Sequence, residues 1–143
     1  MSAGERLGDP RIQAFLETKE VVVLAMVRPD GGPAATPMWF LHTPDALHMI
    51  SVDDTWKVHT LRRDPRVAVV AETTLAGGAI RGVAVTGRAE FLAGSAERDS
   101  LAERFLGKYH PRLERLWGGR AMPADRVMFR IVPSRVRGWG FER

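Results

Sequence analysis

The sequence predicts a mainly β domain in which an antiparallel sheet closes into a barrel and two or three helices flank it. Apolar, β-branched segments recur along the chain, and the turns between the first of them are short and rich in Gly and Pro. Turns this short join strands in antiparallel order. Closure into a barrel removes the exposed edges that such a sheet would otherwise leave.

The first half of the chain predicts one helix and three strands. Asp9-Pro10 is typical of a helix start, since Asp serves as an N-cap and Pro fits the first helical position. The apolar, β-branched residues over 20–28 favour a buried strand. The turn sequences PDGGP and TPDA then delimit two further strands, over 34–42 and 47–52.

The second half predicts two helices and four more strands. A short helix covers 56–63 and ends before Asp64-Pro65, because the residue that precedes a proline disfavours the helical conformation. Ser95 is the expected cap of a second helix, which has one apolar face. We expect a helical turn and a loop over 110–125. The expected strands cover 66–72, 80–93, 126–132 and, after Pro133, 134–141.

Length and composition narrow the class of protein. At 143 residues the chain has the length of one domain, and we expect a single domain over residues 1–143. No apolar run approaches the length of about 18 residues that a membrane-spanning helix needs, and the first residues lack the apolar stretch of a secretory signal. The absence of cysteine excludes disulfides and thiolate chemistry. We therefore expect a cytoplasmic protein with no membrane partner.

Familiar catalytic motifs are missing from the sequence. It contains no phosphate-binding glycine loop, no zinc-protease motif and no nucleophile elbow. Its histidines offer no third metal ligand that the sequence can place, so no metal is expected. No carboxylate pair indicates acid–base catalysis, and the catalytic residues stay unknown. A binding module fits this pattern, and so does an enzyme whose cofactor carries the reaction.

Two stretches carry a resemblance to a known family, GGPAATPMWF (31–40) and DDTWKVHTLRRDPRVAVV (53–70). In their order and spacing they resemble the pyridoxamine 5′-phosphate oxidase-like split β-barrel flavoproteins, which include FMN-binding members. The closer similarity is to the subgroup that uses the deazaflavin coenzyme F420. The resemblance continues through RGVAVTGRAEF and RVMFRIVPSRVRGW, nearly the whole chain. It implies a split antiparallel barrel that forms a homodimer, with cofactor clefts along the interface.

The resemblance implies that the cofactor ring lies against one strand, whose candidate contacts are Thr36, Pro37, Met38 and Trp39. Pro37 lacks an N–H and belongs at a sheet edge or a bulge. Strand alternation assigns Met38 and Phe40 to one face and Trp39 and Leu41 to the other. Which face meets the cofactor stays open, and ordinary core packing is the alternative for Trp39.

Lys57 matches the lysine with which the family binds the cofactor phosphate. An ammonium beside a helix start suits a phosphate. Ile50 and Ser51 stand at the end of the preceding strand, and the hydroxyls of Ser51 and Thr55 are candidate donors. Relatives usually place an arginine one or two positions before this lysine, where this chain has Thr55 and Trp56. A guanidinium is therefore missing at the expected place, and Trp56 is a candidate to stack on the cofactor or to close the pocket.

Four further residues are candidates for the cofactor site. His59, Arg62 and Arg63 are placed to supply the missing positive charge, with solvation as the alternative for the two arginines. Trp139 falls where relatives pack an aromatic side chain by the cleft, and core packing is its alternative.

The resemblance implies an oxidoreductase that uses reduced coenzyme F420 to reduce a planar conjugated small molecule by hydride transfer. The protein would contribute orientation and exclusion of water. The second hypothesis is an FMN-dependent oxidoreductase on the same barrel, and the third is a non-catalytic flavin- or deazaflavin-binding protein. No motif identifies the substrate. We expect no nucleic-acid partner, because the arginines are scattered through the chain.

Overall fold

The computed structural model describes residues 5–141, and residues 1–4 and 142–143 lie outside the described part. The helices are α1 (Pro10–Glu17), α2 (Trp56–Arg63), α3 (Ala96–Tyr109) and α4 (Arg112–Trp117). The strands are β1 (Val21–Val27), β2 (Pro33–Trp39), β3 (Leu41–His42), β4 (Leu47–Val52), β5 (Arg66–Thr74), β6 (Ile80–Phe91) and β7 (Arg126–Trp139). The bounds of α2 agree with the sequence prediction because Thr55 caps its start and Asp64-Pro65 ends it locally.

The strands form one antiparallel sheet in the order β2-β1-β5-β6-β7-β4-β3. β2 and β3 stand at opposite ends of this order, yet a single residue, Phe40, joins them in the chain. The sheet must therefore curl until its two edges approach each other. This curled sheet with flanking helices confirms the predicted split-barrel fold.

The break between β2 and β3 corrects the prediction of one strand over 34–42. The amide of Phe40 donates a hydrogen bond to the Tyr109 hydroxyl of α3 over 2.8 Å. That hydroxyl lies 3.0 Å from the carbonyl oxygen of Phe40 and 2.8 Å from that of Glu20. Because a side chain from α3 satisfies the backbone of Phe40, the strand ladder is interrupted there.

The end of the chain also differs from its prediction. Two strands separated at Pro133 were expected, whereas β7 is continuous. The register between β6 and β7 shifts at Thr86/Gly87, opposite Pro133, and Ser134 is the extra residue of this bulge. Pairing of β7 with β4 has ended at Ile131, so Pro133 needs no second hydrogen-bonded neighbour and is tolerated within the strand.

Two apolar clusters stabilise this arrangement. The first fills the inside of the curled sheet and includes Met38 and Phe40. The second lies between the sheet and helices α3 and α4 and includes Leu41, with Trp39 packed against it. The predicted division of this strand into two faces is therefore correct. Burial of each large apolar side chain contributes about 1.5–3 kcal/mol.

The predicted buried strand over 20–28 is buried on one face only. Val22 and Leu24 point into the first cluster, while Val21 and Val23 on the outer face are 41% and 44% exposed. The continuous run of apolar residues therefore leaves an apolar outer surface on the single chain.

Within residues 5–141, no helix has the length and apolar character required to cross a membrane.

Candidate functional site

A cavity of about 440 Å³ opens where β2, β4, the start of α2, helices α3 and α4, and the start of β7 come together. Its lining residues are Pro37, Met38, Trp39, Ile50, Ser51, Val52, Thr55, Lys57, Phe105, Leu113, Leu116, Trp117 and Arg126. The fold therefore brings most of the predicted cofactor residues to one cavity, although they come from separate parts of the chain.

Lys57 supplies a positive charge at one end of the cavity. It is the second residue of α2, and its ammonium nitrogen lies 3.7 Å from the sulfur of Met38. Among the described residues, no carboxylate lies within ion-pair distance of this ammonium. The N–H groups in the first turn of a helix have no intrahelical acceptors and carry partial positive charge. The charge of Lys57 and the free N–H groups at the start of α2 are both of the kind that suits an anion.

Ser51 and Thr55 place two hydroxyl groups beside Lys57. Thr55 is the N-cap of α2, and its Oγ1 accepts a hydrogen bond from the amide of Val58 while donating one to the carbonyl of Val52 over 3.0 Å. Ser51 Oγ lies 3.5 Å from Thr55 Oγ1. Thr55 therefore fixes the start of the helix through its two backbone hydrogen bonds. The Ser51 hydroxyl makes fewer hydrogen bonds to the backbone than the Thr55 hydroxyl does.

Arg126 is a cavity residue that the sequence did not reveal. It begins β7 and is the cross-strand partner of Val52 in β4. Its guanidinium forms an ion pair with Asp125 at 2.5 Å, and its side chain is 19% exposed. Arg126 could have been predicted as a cavity residue only from the pairing of β4 with β7, and no local sequence motif indicates that pairing. The helical residues Phe105, Leu113, Leu116 and Trp117 were missed for the same reason.

Trp39 serves both packing and cavity lining. Its ring stacks on Tyr109 with the centroids 4.4 Å apart and the planes 6° from parallel. On β2, which is an edge strand of the sheet, Pro37 occupies the kind of position predicted for it. Burial raises the pKa of Tyr109 to about 12, so its hydroxyl keeps its proton and holds Phe40 at neutral pH.

Three predicted cofactor residues do not line this cavity in the single chain. Thr36 lies on β2 beyond Pro37, with its hydroxyl 3.4 Å from the Pro37 carbonyl. Trp56 begins α2 with an exposed ring. Trp139 ends β7 and covers Gly82 of β6, where an added Cβ would lie 2.6 Å from the indole ring. Their roles at the cofactor stay predictions.

His59, Arg62 and Arg63 make contacts away from the cavity. The guanidinium of Arg62 lies 4.1 Å from the centre of the Phe91 ring. Arg63 donates a hydrogen bond to the Pro29 carbonyl over 3.2 Å. His59 Nε2 lies 2.8 Å from a carboxylate oxygen of Asp54. None of the three lines the cavity, whereas Arg126 does.

The donor set of the cavity fits a phosphorylated ring compound. One end holds Lys57, a helix start and the Ser51 hydroxyl, which suit a phosphate, and the rest of the lining is mostly apolar. The volume is within the range of small-molecule sites. No group of three or more candidate metal ligands occurs among the residues that the structure describes.

Comparisons with known proteins agree with this fold. The sequence profile described as pyridoxamine 5′-phosphate oxidase matches residues 9–140. No curated protein matches the chain. A solved structure of a conserved hypothetical protein from Mycobacterium tuberculosis is 26% identical, covers 94% of this chain and 85% of its own, and has a TM-score of 0.79.

Two further solved structures show the same architecture. A Listeria innocua protein provisionally named as a pyridoxamine 5′-phosphate oxidase is 27% identical over 90% of this chain and 95% of its own, with a TM-score of 0.71. An FAD-binding protein from Mesorhizobium loti is 24% identical over 86% of this chain and 85% of its own, with a TM-score of 0.68. At that identity the last similarity concerns the fold alone.

Proposed function

The chain belongs to the pyridoxamine 5′-phosphate oxidase family, and from this membership we propose that it is an oxidoreductase that uses reduced coenzyme F420 to reduce a planar conjugated small molecule. The observation that carries the proposal is the shared cavity of Lys57, the start of α2 and the strand Pro37–Trp39. The similarity of TPMWF and LRRDPRV to the F420-dependent subgroup supports the choice of cofactor.

In this proposal the polar end of the cavity binds the phosphate. The Lys57 ammonium and the first N–H groups of α2 neutralise its charge, and the Ser51 hydroxyl donates one hydrogen bond. The guanidinium of Arg126 takes the place of the arginine that the sequence lacks before Lys57. A guanidinium presents donors in a planar fork and suits phosphate oxygens. The Asp125 carboxylate offsets part of its charge and fixes its position.

The apolar part of the cavity positions the reacting rings. Trp39 offers an apolar ring to the cavity and excludes water, and the stack on Tyr109 keeps this ring in place. Met38 lies on the other face of β2 and lines the cavity beside the Lys57 ammonium. When bound, the reduced cofactor supplies a hydride, and an acceptor that takes this hydride and a proton from solvent is reduced by two electrons. The contribution of these side chains is orientation and exclusion of water, which requires no acid or base from the protein.

A second copy of the chain is proposed to complete the cleft. Val23 of β1 pairs with Val70 of β5 on one side and with Pro37 of β2 on the other. The two valines are 44% and 38% exposed, and Val21 lies beside Trp39 on the same outer face. Contiguous exposed apolar surface marks an interaction site. Because this surface runs to the cavity residues Pro37 and Trp39, a dimer formed through it has cofactor clefts along its interface.

Titration of the purified protein with each cofactor tests the proposal. Fluorescence of oxidised coenzyme F420 and of FMN reports binding, and we expect tighter binding of coenzyme F420. Tight binding of FMN with no binding of coenzyme F420 would overturn the F420 assignment in favour of the FMN hypothesis.

The cytoplasm is the proposed location of this reaction.

The same protein is then supplied with reduced coenzyme F420 and menadione, a naphthoquinone acceptor. Steady oxidation of the cofactor is expected. Binding without turnover for menadione, a nitroaromatic compound and a tetrapyrrole would instead support the non-catalytic binding protein.

A further inference from the structure

A groove of about 520 Å³ lies where the end of α1, the strand β3 and the end of α3 meet. It shares no lining residue with the cavity around Lys57. The ionisable side chains that line it, other than His42, are those of Glu17, Lys19, Glu20, Arg104 and Lys108. The reaction proposed above makes no use of this groove.

The charges of this groove are unevenly paired. Both of its carboxylates have partners, since Glu17 lies 2.8 Å from Nε2 of His42 and Glu20 forms an ion pair with Arg112 at 2.8 Å. Among the residues that the structure describes, three cations of the groove have no carboxylate within ion-pair distance: Lys19, Arg104 and Lys108. A concave site with unpaired cations attracts a small anion.

Lys108 presents a half-buried amine to this groove. Its Nζ donates a hydrogen bond to the Phe40 carbonyl over 2.8 Å and lies 3.7 Å from the centre of the Phe40 ring. Burial lowers the pKa of Lys108 to about 8, while the charges of Glu17 and Glu20 raise it. Near pH 8 much of this amine is therefore neutral, and only the neutral amine has the lone pair that attacks a carbonyl carbon.

Arg104 places a guanidinium beside this amine. It precedes Lys108 by four residues on α3, and residues with this spacing are neighbours on one face of a helix. One of its nitrogens donates to the His42 carbonyl over 3.4 Å, and no other hydrogen bond of this guanidinium occurs within residues 5–141. The remaining donors of the planar fork suit a phosphate group. An anion that Arg104 binds therefore lies next to the Lys108 amine.

We propose that this groove binds acyl phosphates and that Lys108 is the residue that they acylate. Arg104 binds the phosphate group, and the neutral Nζ of Lys108 attacks the adjacent acyl carbon. The new C–N bond forms, the acyl C–O bond breaks, and phosphate leaves with the electron pair of that bond while the proton of the amine passes to water. The amide that results keeps one N–H for the Phe40 carbonyl. No oxidant or reductant is needed.

Incubation of the purified protein with acetyl phosphate at pH 8 tests the modification site. The chain has three lysines, Lys19, Lys57 and Lys108, so peptide mass spectrometry follows every lysine amine. Lys19 is the matched comparison because it lines the same groove. We expect the initial rate of acetylation at Lys108 to exceed that at Lys19 roughly 5-fold or more. A rate at Lys108 equal to or below that at Lys19 would overturn the assignment.

Arg104→Gln separates binding of the phosphate from reactivity of the amine. With acetyl phosphate the variant should acetylate Lys108 about 5-fold more slowly than wild type. With acetic anhydride, which carries no phosphate, the rates of variant and wild type should agree. Arg115→Gln is the control, because Arg115 is exposed and lies outside the groove. No slowing of Arg104→Gln with acetyl phosphate, or equal slowing with both reagents, would overturn the role of Arg104.

Inorganic phosphate gives a test that needs no variant. Added to wild-type protein, it should compete with acetyl phosphate for the groove and slow acetylation of Lys108 by that reagent. It should leave acetylation by acetic anhydride unchanged. If phosphate has no effect on either reaction, the groove does not bind the phosphate group. These reactions require neither coenzyme F420 nor FMN, so their outcome is independent of the proposed function.

Discussion

Two neighbouring residues at the start of α2, Thr55 and Lys57, make different kinds of contact. The Lys57 ammonium makes a weak contact with the sulfur of Met38, at 3.7 Å. Thr55, two residues earlier, makes the hydrogen bonds that begin α2. We therefore expect loss of Thr55 to destabilise the helix, and loss of Lys57 to weaken the binding of an anion.

Replacement of Lys57 by alanine should weaken cofactor binding and leave the fold intact. A hydrogen bond to a charged group contributes about 1.5–3 kcal/mol, which corresponds to roughly 10- to 100-fold in affinity. Fluorescence titration measures the affinity, and thermal unfolding measures the fold. Lys19→Ala serves as the control, since Lys19 does not line this cavity. Unchanged affinity in Lys57→Ala would remove Lys57 from the phosphate site.

Sequence reasoning found Lys57 but not Arg126, and the difference has a physical cause. The signal for Lys57 is local, because a cap, a helix start and a following LRRDPRV segment lie within a few residues. Arg126 reaches the cavity only because β7 pairs with β4, with Val52 as its cross-strand partner. The alternation of apolar and polar residues along a strand indicates which side chains share a face, but it does not identify the neighbouring strand. The sequence therefore could not show that the Arg126 guanidinium lines the same cavity as Lys57.

His48 gives the protein a dependence of stability on pH. It is 2% exposed, its Nε2 lies 3.4 Å from Thr43 Oγ1, and its Nδ1 has no hydrogen-bond partner among the described residues. Burial lowers the pKa of His48 to about 4, with Arg130 and Arg104 lowering it and Glu97 raising it. The folded protein therefore keeps this imidazole neutral at a pH where the unfolded chain protonates it.

The lower pKa of His48 in the folded chain determines whether acid stabilises or destabilises the protein. Below about pH 6.5 the His48 imidazole binds a proton in the unfolded chain but stays neutral in the folded chain. The free energy of unfolding therefore falls as the pH drops towards 4. The loss approaches about 3 kcal/mol at pH 4. Urea unfolding of wild type and His48→Leu between pH 7 and 4 measures it. The wild type should lose stability more steeply than the variant. Parallel curves for wild type and His48→Leu would contradict the assignment.

At the scale of elements, contacts distant in sequence decide where strands end. The chain leaves β2 at Phe40 because Tyr109, 69 residues away, satisfies its amide. α2 by contrast begins and ends at local signals, and its bounds were predicted correctly. The single strand β7 depends on a bulge opposite Pro133, which required knowledge of its pairing with β6. Local chemistry therefore predicts helices and turns better than strand breaks.

Gly87 controls the bulge between β6 and β7. A Cβ at this position would lie 2.1 Å from the carbonyl oxygen of Val132, and that neighbour is backbone. Gly87→Ala should therefore shift the strand pair and destabilise the protein by about 3 kcal/mol or more. Gly107→Ala is the matched control: Gly107 lies within α3 with no atom close to an added Cβ, and alanine there should stabilise by about 1 kcal/mol. Urea unfolding measures both, and equal effects would contradict the role of the bulge.

At the scale of the whole molecule, the curl of the sheet assembles the site. β2, β4 and the start of α2 follow one another within residues 33–57, whereas β7 begins only at Arg126. They meet at one cavity because the edges of the sheet approach each other. The sequence predicted this class of fold from its turns and strand composition. It did not predict the strand order, and the strand order determines which side chains share the cavity.

The outer apolar face of β1 and β5 predicts the assembly of the molecule. Val23→Lys places a charge at the centre of this face, between Val70 and Pro37. In a dimer formed through this face the ammonium is buried without a partner, so we expect the variant to be a monomer by light scattering. Its thermal unfolding tests whether the single chain still folds, and cofactor affinity should fall with dissociation because Pro37 and Trp39 border the same face.

Ala14→Lys on α1 is the control and should behave as wild type. If the Val23→Lys protein stays dimeric, the interface lies elsewhere on the molecule. If it becomes monomeric and its cofactor affinity is unchanged, each single chain holds a complete cofactor site.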